Sequence, residues 1–110
     1  MFNINGIDWA IVQTSPNHPK LARSDGSFTI GACDNNTKTI YLSENLSGAL
    51  LKKVLCHEIT HAAMFSYNVT LSIEQEELLA NLIATYGSEI IYITNKVFSK
   101  IKKLGTDIYY

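Results

Sequence analysis

The amino-acid sequence predicts an α+β domain in which a three-stranded antiparallel sheet precedes two or three helices. Up to about Leu42, β-branched and aromatic residues are frequent and are interrupted by turn signals. From Ser47 onward, apolar residues recur instead at three- and four-residue spacing, which is typical of helices. Because the strands come first and the helices follow, the pattern favours the α+β class over alternating α/β units.

Length and composition limit the chain to one compact unit. The 110 residues are 46% hydrophobic and 17% charged, so residues 1–110 are predicted to form a single domain with a modest core. With a net charge of -1, the chain has no strong positive electrostatic field that would attract nucleic acid or an acidic membrane surface. No apolar run approaches the roughly 20 residues of a membrane span. Two unpaired cysteines and the absence of a signal-peptide pattern predict a cytoplasmic protein.

Three strands are predicted in the first part of the chain. The segment Gly6–Thr14 is rich in aromatic and β-branched residues, and the two prolines that follow it end regular pairing. A hairpin is expected next, with arms at Phe28–Cys33 and Lys38–Leu42. The turn between them is Asp34–Asn36, because Asp and Asn tolerate positive φ and hydrogen-bond their own backbone.

The helical part begins with a helix predicted at about residues 47–66. A second helix is predicted to open at Ile73, because Ser72 and Gln75 form a capping-box pattern just before an apolar run. This run extends to Tyr86, where Gly87 and the following serine either break or bend the helix. One or two helices are therefore expected after the first.

A further apolar stripe continues beyond Gly87. Its members recur at helical spacing: Ile90, Ile93, Val97, Ile101 and Leu104. We expect this stripe to face the core of a monomer, with a dimer seam as the alternative.

The segment Val54–Met64 reads VLCHEITHAAM and contains the H-E-x-x-H pattern of zinc hydrolases. On a helix, His57 and His61 lie one turn apart on one face, so that two imidazoles can bind one metal at about 2.0–2.1 Å. Glu58 is rotated by roughly 100° from His57 and would lie beside the metal, where it could deprotonate a bound water. The pattern therefore predicts a Zn²⁺ site with Glu58 as the general base.

The alternative interpretation of this motif is a solvated polar stripe. Apolar or small neighbours argue against it: Leu55, Cys56, Ile59, Ala62, Ala63, Met64 and Phe65. Polar groups buried among such residues cost a few kcal/mol each unless they find partners. A metal ion supplies the partner, whereas Cys56 projects to another face and is interpreted as a small apolar side chain.

The third metal ligand is predicted to be a carboxylate. Catalytic zinc sites usually have three protein ligands and one open position. No histidine follows His61, and Met64 and Tyr67 stand where the extended metzincin pattern requires glycine and histidine. A downstream Asp or Glu is therefore needed.

Helix geometry ranks the candidate carboxylates. If the two helices form an antiparallel hairpin, Glu77 lies level with His61. Glu74 lies on the same face one turn nearer the loop, and Glu76 is expected to be rotated away. Glu77 is thus the first candidate, Glu74 the second and Glu76 the third.

Other polar residues near this site have less defined roles. Asn81 lies level with His57 in the same hairpin and could accept a hydrogen bond from its imidazole. Four side chains are candidates for stabilising an oxyanion, and none is assigned: His18, Arg23, Tyr67 and Tyr86.

Two motifs resemble a known family. LLKKVLCHEITHAA followed by EELLANLIA is similar to the gluzincin-type metallopeptidases of the ImmA/IrrE group, which occur in bacteria, phages and mobile elements. The resemblance covers about residues 28–86. It implies a zincin-like fold and a zinc-ligand Glu in the segment Glu77–Asn81. It also implies zinc-dependent hydrolysis of peptide bonds. Some members of the group cleave repressor-type transcription factors.

The leading hypothesis is a zinc peptidase that acts on a protein or peptide substrate. Zn²⁺ would be held by His57, His61 and Glu77, with the substrate aligned along an exposed arm of the hairpin. The first alternative is a catalytically silent zinc-binding module with a regulatory or protein-interaction role. The second is a metal-free helical interaction protein.

Overall fold

The computed structural model describes residues 1–103, which form a sheet and two helices. The elements are β1 (Phe2–Ile4), β2 (Ile7–Thr14), β3 (Gly31–Asp34), β4 (Thr39–Ser43), α1 (Gly48–Ser66) and α2 (Ile73–Lys103), with a 3-10 turn at Pro19–Leu21. The predicted α+β class is confirmed. Within the described range, neither helix is both long and apolar enough to cross a membrane.

The sheet differs from the prediction of three antiparallel strands. It has four strands in the order β1-β2-β4-β3, and β2 pairs in parallel with β4. The other two pairings are antiparallel, so the sheet is mixed. The long connection after Thr14 carries the chain past the position of β4 to the sheet edge. The hairpin then returns inward, and β4 therefore enters beside β2 in the same direction.

The extra strand is explained by a tight turn at Asn5 and Gly6. Both residues have positive φ, at 50° and 79°, as the two central positions of a type I′ hairpin turn require. The turn pairs Phe2 with Trp9 in register. The strand predicted at Gly6–Thr14 is therefore present as β2, one residue shorter, because Gly6 belongs to the turn. The strand before it was missed, although an Asn-Gly pair between apolar residues indicates a hairpin.

The predicted second hairpin is present, with shorter or shifted arms. Gly31 pairs with Leu42 and Cys33 with Ile40, while Asp34 Oδ1 accepts a hydrogen bond from the Asn36 N–H at 2.9 Å. The first arm begins at Gly31 rather than at Phe28, because the preceding residues bridge back toward the 3-10 turn. In the strand order, β3 lies at one edge of the sheet and β4 lies inside it.

The core lies between the sheet and α1. Trp9, Ile40 and Ala62 are fully buried, and Leu42 is nearly so. The Trp9 indole Nε1–H donates to the Ser66 hydroxyl at 2.8 Å, and both side chains are buried. This bond fixes the last turn of α1 to β2 and thereby sets how the helix lies on the sheet.

Replacing Ser66 by alanine is expected to destabilise the fold, because the buried indole N–H loses its acceptor. Such a loss costs about 1–3 kcal/mol, with a fall in Tm of roughly 4–8 °C per kcal/mol for a domain of this size. Thermal unfolding monitored by circular dichroism measures the change. Ser99→Ala, on an exposed face of α2, is the matched control, and equal melting temperatures for the two variants would contradict the prediction.

The helical hairpin follows the prediction closely at three of its four ends. The first helix spans Gly48–Ser66 against an expected 47–66, and the second begins at Ile73. Ser72 and Gln75 form the expected capping box, each side chain accepting from the other's backbone N–H at 3.1–3.2 Å. The helix neither ends nor breaks at Gly87, because one glycine costs only about 1 kcal/mol in a long helix.

The apolar stripe of α2 does not face a monomer core. Ile90, Ile93, Val97 and Ile101 are each 45–51% exposed. Helical spacing specifies that these residues share a face but not what covers it, which is why the expectation of a core position was wrong. Leu104, also part of the predicted stripe, lies outside the described residues.

Candidate metal centre

The helix α1 brings His57 and His61 together on one face. The two imidazole rings are one turn apart, with centroids separated by 4.9 Å, and their Nε2 atoms are 3.2 Å apart. His61 is buried and His57 is partly buried. Both Nε2 atoms therefore point to one common position at the α1–α2 interface.

Glu77 on α2 completes a cluster of three ligand atoms. Its Oε1 lies 2.8 Å from His61 Nε2 and its Oε2 lies 3.3 Å from His57 Nε2. One ligand atom from each residue lies within 4.8 Å of the others. Tetrahedral zinc with ligands at about 2.0–2.2 Å requires ligand atoms roughly 3.3 Å apart, so this donor set fits a zinc ion.

The other two glutamates lie in different places. Glu74 is exposed and contributes no atom to the three-residue cluster. Glu76 was expected to be rotated away, but its Oε1 lies 2.6 Å from His61 Nδ1. The prediction failed because two adjacent, long glutamate side chains can reach the same imidazole from opposite sides. Glu76 contacts one ring nitrogen of His61, and Glu77 contacts the other.

Asn81 lines the same cavity as His57. Within residues 1–103, however, no hydrogen bond joins its side chain to the His57 imidazole. The sequence predicts that Asn81 accepts a hydrogen bond from His57. In the structure, the contact of this kind joins Glu76 to His61 instead.

Glu58 lies beside the cluster and is buried. Only 7% of the residue is exposed, and this burial raises the pKa of its carboxyl group to about 7. The positive charge available at His61 acts to lower this pKa, and the Glu77 carboxylate acts to raise it. A carboxyl group with a pKa near neutrality can both accept and release a proton at physiological pH.

A glycine in β3 makes room for Glu58. A Cβ atom at Gly31 would lie 3.1 Å from Glu58 Oε2 and 2.7 Å from Val54 Cγ1, too close for any larger residue without movement. The edge strand therefore approaches α1 directly at the carboxylate. The sequence did not single out this glycine, because its φ is ordinary and the contact joins distant parts of the chain.

An open cavity of about 630 Å³ connects these groups. Its walls are the edge strand β3 and the facing sides of α1 and α2, and the His57, Glu58, His61 and Glu77 side chains lie within it. Arg23 and Lys53 also line it and add positive charge. In the described part of the chain, Arg23 is the one of the four oxyanion candidates that lines this cavity.

Neither cysteine is positioned as a reactive group. Cys33 lines the cavity, but burial and the nearby Glu58 carboxylate raise the pKa of its thiol to about 12. A thiol that stays protonated is a poor nucleophile and a poor metal ligand. Cys56 lies on another face of α1, beside a second cavity between the helices, as predicted from its position.

The candidate site combines two imidazoles and a carboxylate on an antiparallel helix pair. A buried glutamate and an edge strand lie beside them. This arrangement is typical of metallopeptidase-like domains. The family model described as the IrrE N-terminal-like domain, a peptidase family, matches residues 12–105. The chain therefore belongs to this family, and the resemblance to the ImmA/IrrE group is confirmed. No curated protein and no solved structure matches the chain.

Proposed function

We propose that the protein is a zinc-dependent peptidase with Zn²⁺ held by His57, His61 and Glu77. The observation that carries the proposal is the convergence of two Nε2 atoms and one carboxylate at separations of 2.8–3.3 Å. Family membership supports the same class of activity. Glu58 is the general base, because its buried carboxylate lies beside this cluster and within the same cavity.

The bound Zn²⁺ would lower the pKa of a coordinated water toward about 7 and polarise the carbonyl of the scissile bond. The Glu58 carboxylate accepts the proton of the attacking water and delivers it to the leaving amine. Burial raises the pKa of this carboxyl group to about 7, and a bound Zn²⁺ would lower it again, so that the group is ionised and able to accept the proton at physiological pH. Arg23 and Lys53 place positive charge in the cavity, which favours substrates with acidic side chains.

The substrate peptide would lie against β3. This strand is the edge of the sheet and forms one wall of the cavity, so its outer backbone groups can pair with an extended chain. Gly31 has no side chain to hold the peptide away from Glu58. Strand addition at β3 would thus bring a peptide carbonyl into the cavity that holds Glu58 and the three proposed ligands.

The proposal is tested with the wild-type protein alone. Zinc content is measured after purification without added metal, and thermal stability is measured before and after chelation and zinc return. We expect about one zinc per chain, and a stabilisation of about 2.7 kcal/mol when free zinc exceeds Kd by 100-fold. Cleavage is followed by mass spectrometry on denatured casein and on a random peptide mixture, and it should stop on chelation and return with zinc.

Two results would count against the proposal in different ways. A wild-type protein that purifies without zinc and gains no stability from it would exclude both the peptidase and a silent zinc-binding module. A protein that binds zinc but cleaves neither probe would favour the silent module, for which the general-base role of Glu58 has no use.

Replacing Glu76 by glutamine is expected to weaken zinc binding. In the proposed site, the proton on His61 Nδ1 is donated to the Glu76 carboxylate, which orients the ring and makes Nε2 a better ligand. Loss of such a partner typically costs 10–100-fold in metal affinity. Competition with a fluorescent zinc chelator measures Kd. Unchanged Kd values for Glu76→Gln would show that the 2.6 Å contact does not support the metal.

A further inference from the structure

The cavity beside the candidate metal centre has two ends that differ in chemistry. It lies between α2, α1 and the edge strand β3. After β4 the chain turns back into α1, whose last turn is held at the start of β2 by the Trp9–Ser66 bond. Because β3 is antiparallel to β4, it runs in the same direction as α1. Gly31 at the start of β3 lies against Val54, so the residues before Gly31 lie at the end of the cavity away from His61.

Two cations line this end of the cavity, which we call the far end. Arg23 belongs to the short hairpin before β3, and Lys53 lies one turn before His57 on α1. Both cationic side chains are exposed. Within residues 1–103 neither forms an ion pair, and the nearby Asp25 carboxylate accepts hydrogen bonds from Ser27 instead. The far end therefore presents two cations that no described carboxylate contacts.

The net charge of the whole cavity depends on these cations once the proposed metal is bound. Glu58 and Glu77 are the carboxylates among the described lining residues. A Zn²⁺ ion would balance both of them, and the two cations of the far end would remain unbalanced. Ile30 and Leu50 add apolar wall beside them. Charges in a cleft with walls of low dielectric attract counter-ions, so we expect an anionic group of the substrate at the far end.

The distance from the metal ligands to the far end corresponds to a short stretch of extended peptide. Lys53 precedes His57 by four residues, which is about 6 Å along the helix axis. An extended chain advances about 3.3 Å per residue, so two residues of substrate cover this distance. Antiparallel pairing is the more stable way to add a strand to β3. The C-terminal part of the substrate would then lie toward the start of β3, where the cations are.

We propose that Arg23 and Lys53 form a subsite for a carboxylate about two residues beyond the scissile bond, on its C-terminal side; this inference rests on the proposed peptidase function. A guanidinium group can bind a carboxylate through two parallel hydrogen bonds, and an ammonium group adds a third donor. Two sources offer this chemistry. One is an Asp or Glu side chain within a longer substrate, and the other is the free carboxylate at the end of a peptide chain.

Peptide binding to Glu58→Gln tests the subsite, because the bound peptide stays intact in this variant. Three labelled peptides of one sequence are compared by fluorescence anisotropy: a reference with Gln at alternate positions and an amidated C-terminus, the same peptide with Glu in place of Gln, and the reference with a free C-terminus. At least one carboxylate peptide should bind about tenfold tighter than the reference, since an exposed ion pair contributes up to about fivefold in affinity. Equal Kd values for all three peptides would overturn the proposal.

Charge removal identifies the residues responsible. In the Glu58→Gln background, the additional pair Arg23→Gln and Lys53→Gln should bring all three peptides to the Kd of the reference. Lys52→Gln is the matched control, because Lys52 is an exposed lysine that lines the second cavity and not the first. It should leave the preference unchanged. The same loss of preference in Lys52→Gln would show that overall charge, and not the subsite, selects the peptide.

Cleavage by the wild-type protein distinguishes the two sources of the carboxylate. Random peptide mixtures with free and with amidated C-termini are digested, and the cut positions are read by mass spectrometry. A side-chain ligand predicts Asp or Glu enriched at the second residue after the cut in both mixtures. A terminal ligand predicts release of C-terminal dipeptides that amidation abolishes. Acidic residues enriched before the cut instead would contradict the antiparallel direction and overturn the stated side of the subsite.

The binding and cleavage results separate this proposal from the peptidase function on which it rests. Cleavage with no preference for a carboxylate would overturn the subsite and leave the peptidase function in place. A carboxylate preference in binding without any cleavage would support the cationic subsite and count against the peptidase function. Replacing both cations by glutamate gives the sharpest result, because we expect the cleaved sequences to change from acidic to basic residues at the same position.

Discussion

Replacing Glu58 by glutamine is expected to reduce kcat/KM for peptide hydrolysis by about 10²–10⁴-fold while zinc stoichiometry stays at the wild-type value. Glutamine keeps the shape of the side chain against Gly31 but cannot accept the proton of the attacking water. The carboxylate is not one of the three proposed ligands, so the metal remains. Product formation by mass spectrometry and zinc content on the same preparation measure the two quantities.

Glu89→Gln provides the control for this substitution. Glu89 is an exposed glutamate of the same charge on α2, and it is not among the residues that line the cavity beside the candidate metal centre. It should retain full activity. If Glu58→Gln kept more than a tenth of the wild-type activity, Glu58 would not be the general base, and another proton acceptor in the cavity would be required.

Replacing Glu77 by glutamine is expected to lower zinc affinity by more than about 100-fold. A carboxylate contributes charge as well as an oxygen atom to a cation site, and Glu77 contacts both imidazoles of the cluster. Loss of a direct ligand should exceed the 10–100-fold typical of residues that only support a ligand. Chelator competition gives Kd, and the stabilisation by added zinc should fall by about 2.7 kcal/mol for a 100-fold weaker site when zinc is in excess.

The matched control is Glu74→Gln, one turn earlier on α2. Glu74 was the second candidate ligand from the sequence, and its exposed side chain is outside the cluster. It should bind zinc as the wild type does. The reverse result, in which Glu74→Gln loses zinc and Glu77→Gln retains it, would move the third ligand to position 74.

The helices and the spacing of the site could be predicted because both depend on local geometry. The change from strand-like to helical spacing near Ser47 marks the start of α1, and the capping box at Ser72 marks the start of α2. Once both helices are known, a short loop requires an antiparallel hairpin. Counting along it then places Glu77 beside His61, as the structure does.

The sheet order could not be predicted in the same way. Parallel pairing of β2 with β4 depends on where the chain crosses after Thr14, and no local pattern records that path. The missed strand β1 is a different kind of error. Its Asn5-Gly6 turn is a local signal, but Gly6 also borders the β-branched and aromatic run of β2, which hides the turn.

Glu76 and the stripe of α2 show a limit of helical-wheel reasoning. The wheel gives the direction of Cβ, but a glutamate has enough length to reach His61 from a neighbouring position. The same wheel assigns Ile90 and Val97 to one face and is silent on whether that face meets the core or another chain. Contacts between elements decide what a long side chain reaches and what covers an apolar face, and local residue spacing does not encode these contacts.

The contact between Gly31 and Glu58 has a consequence for folding. The three proposed ligands lie within about twenty residues of one another, so the metal site is a local structure that a helical hairpin can form early. The wall that encloses Glu58 comes from a strand far earlier in the chain and requires the completed sheet. For the proposed site we therefore expect metal capture to precede assembly of the cleft, so that an incompletely folded chain would hold zinc without cutting its neighbours.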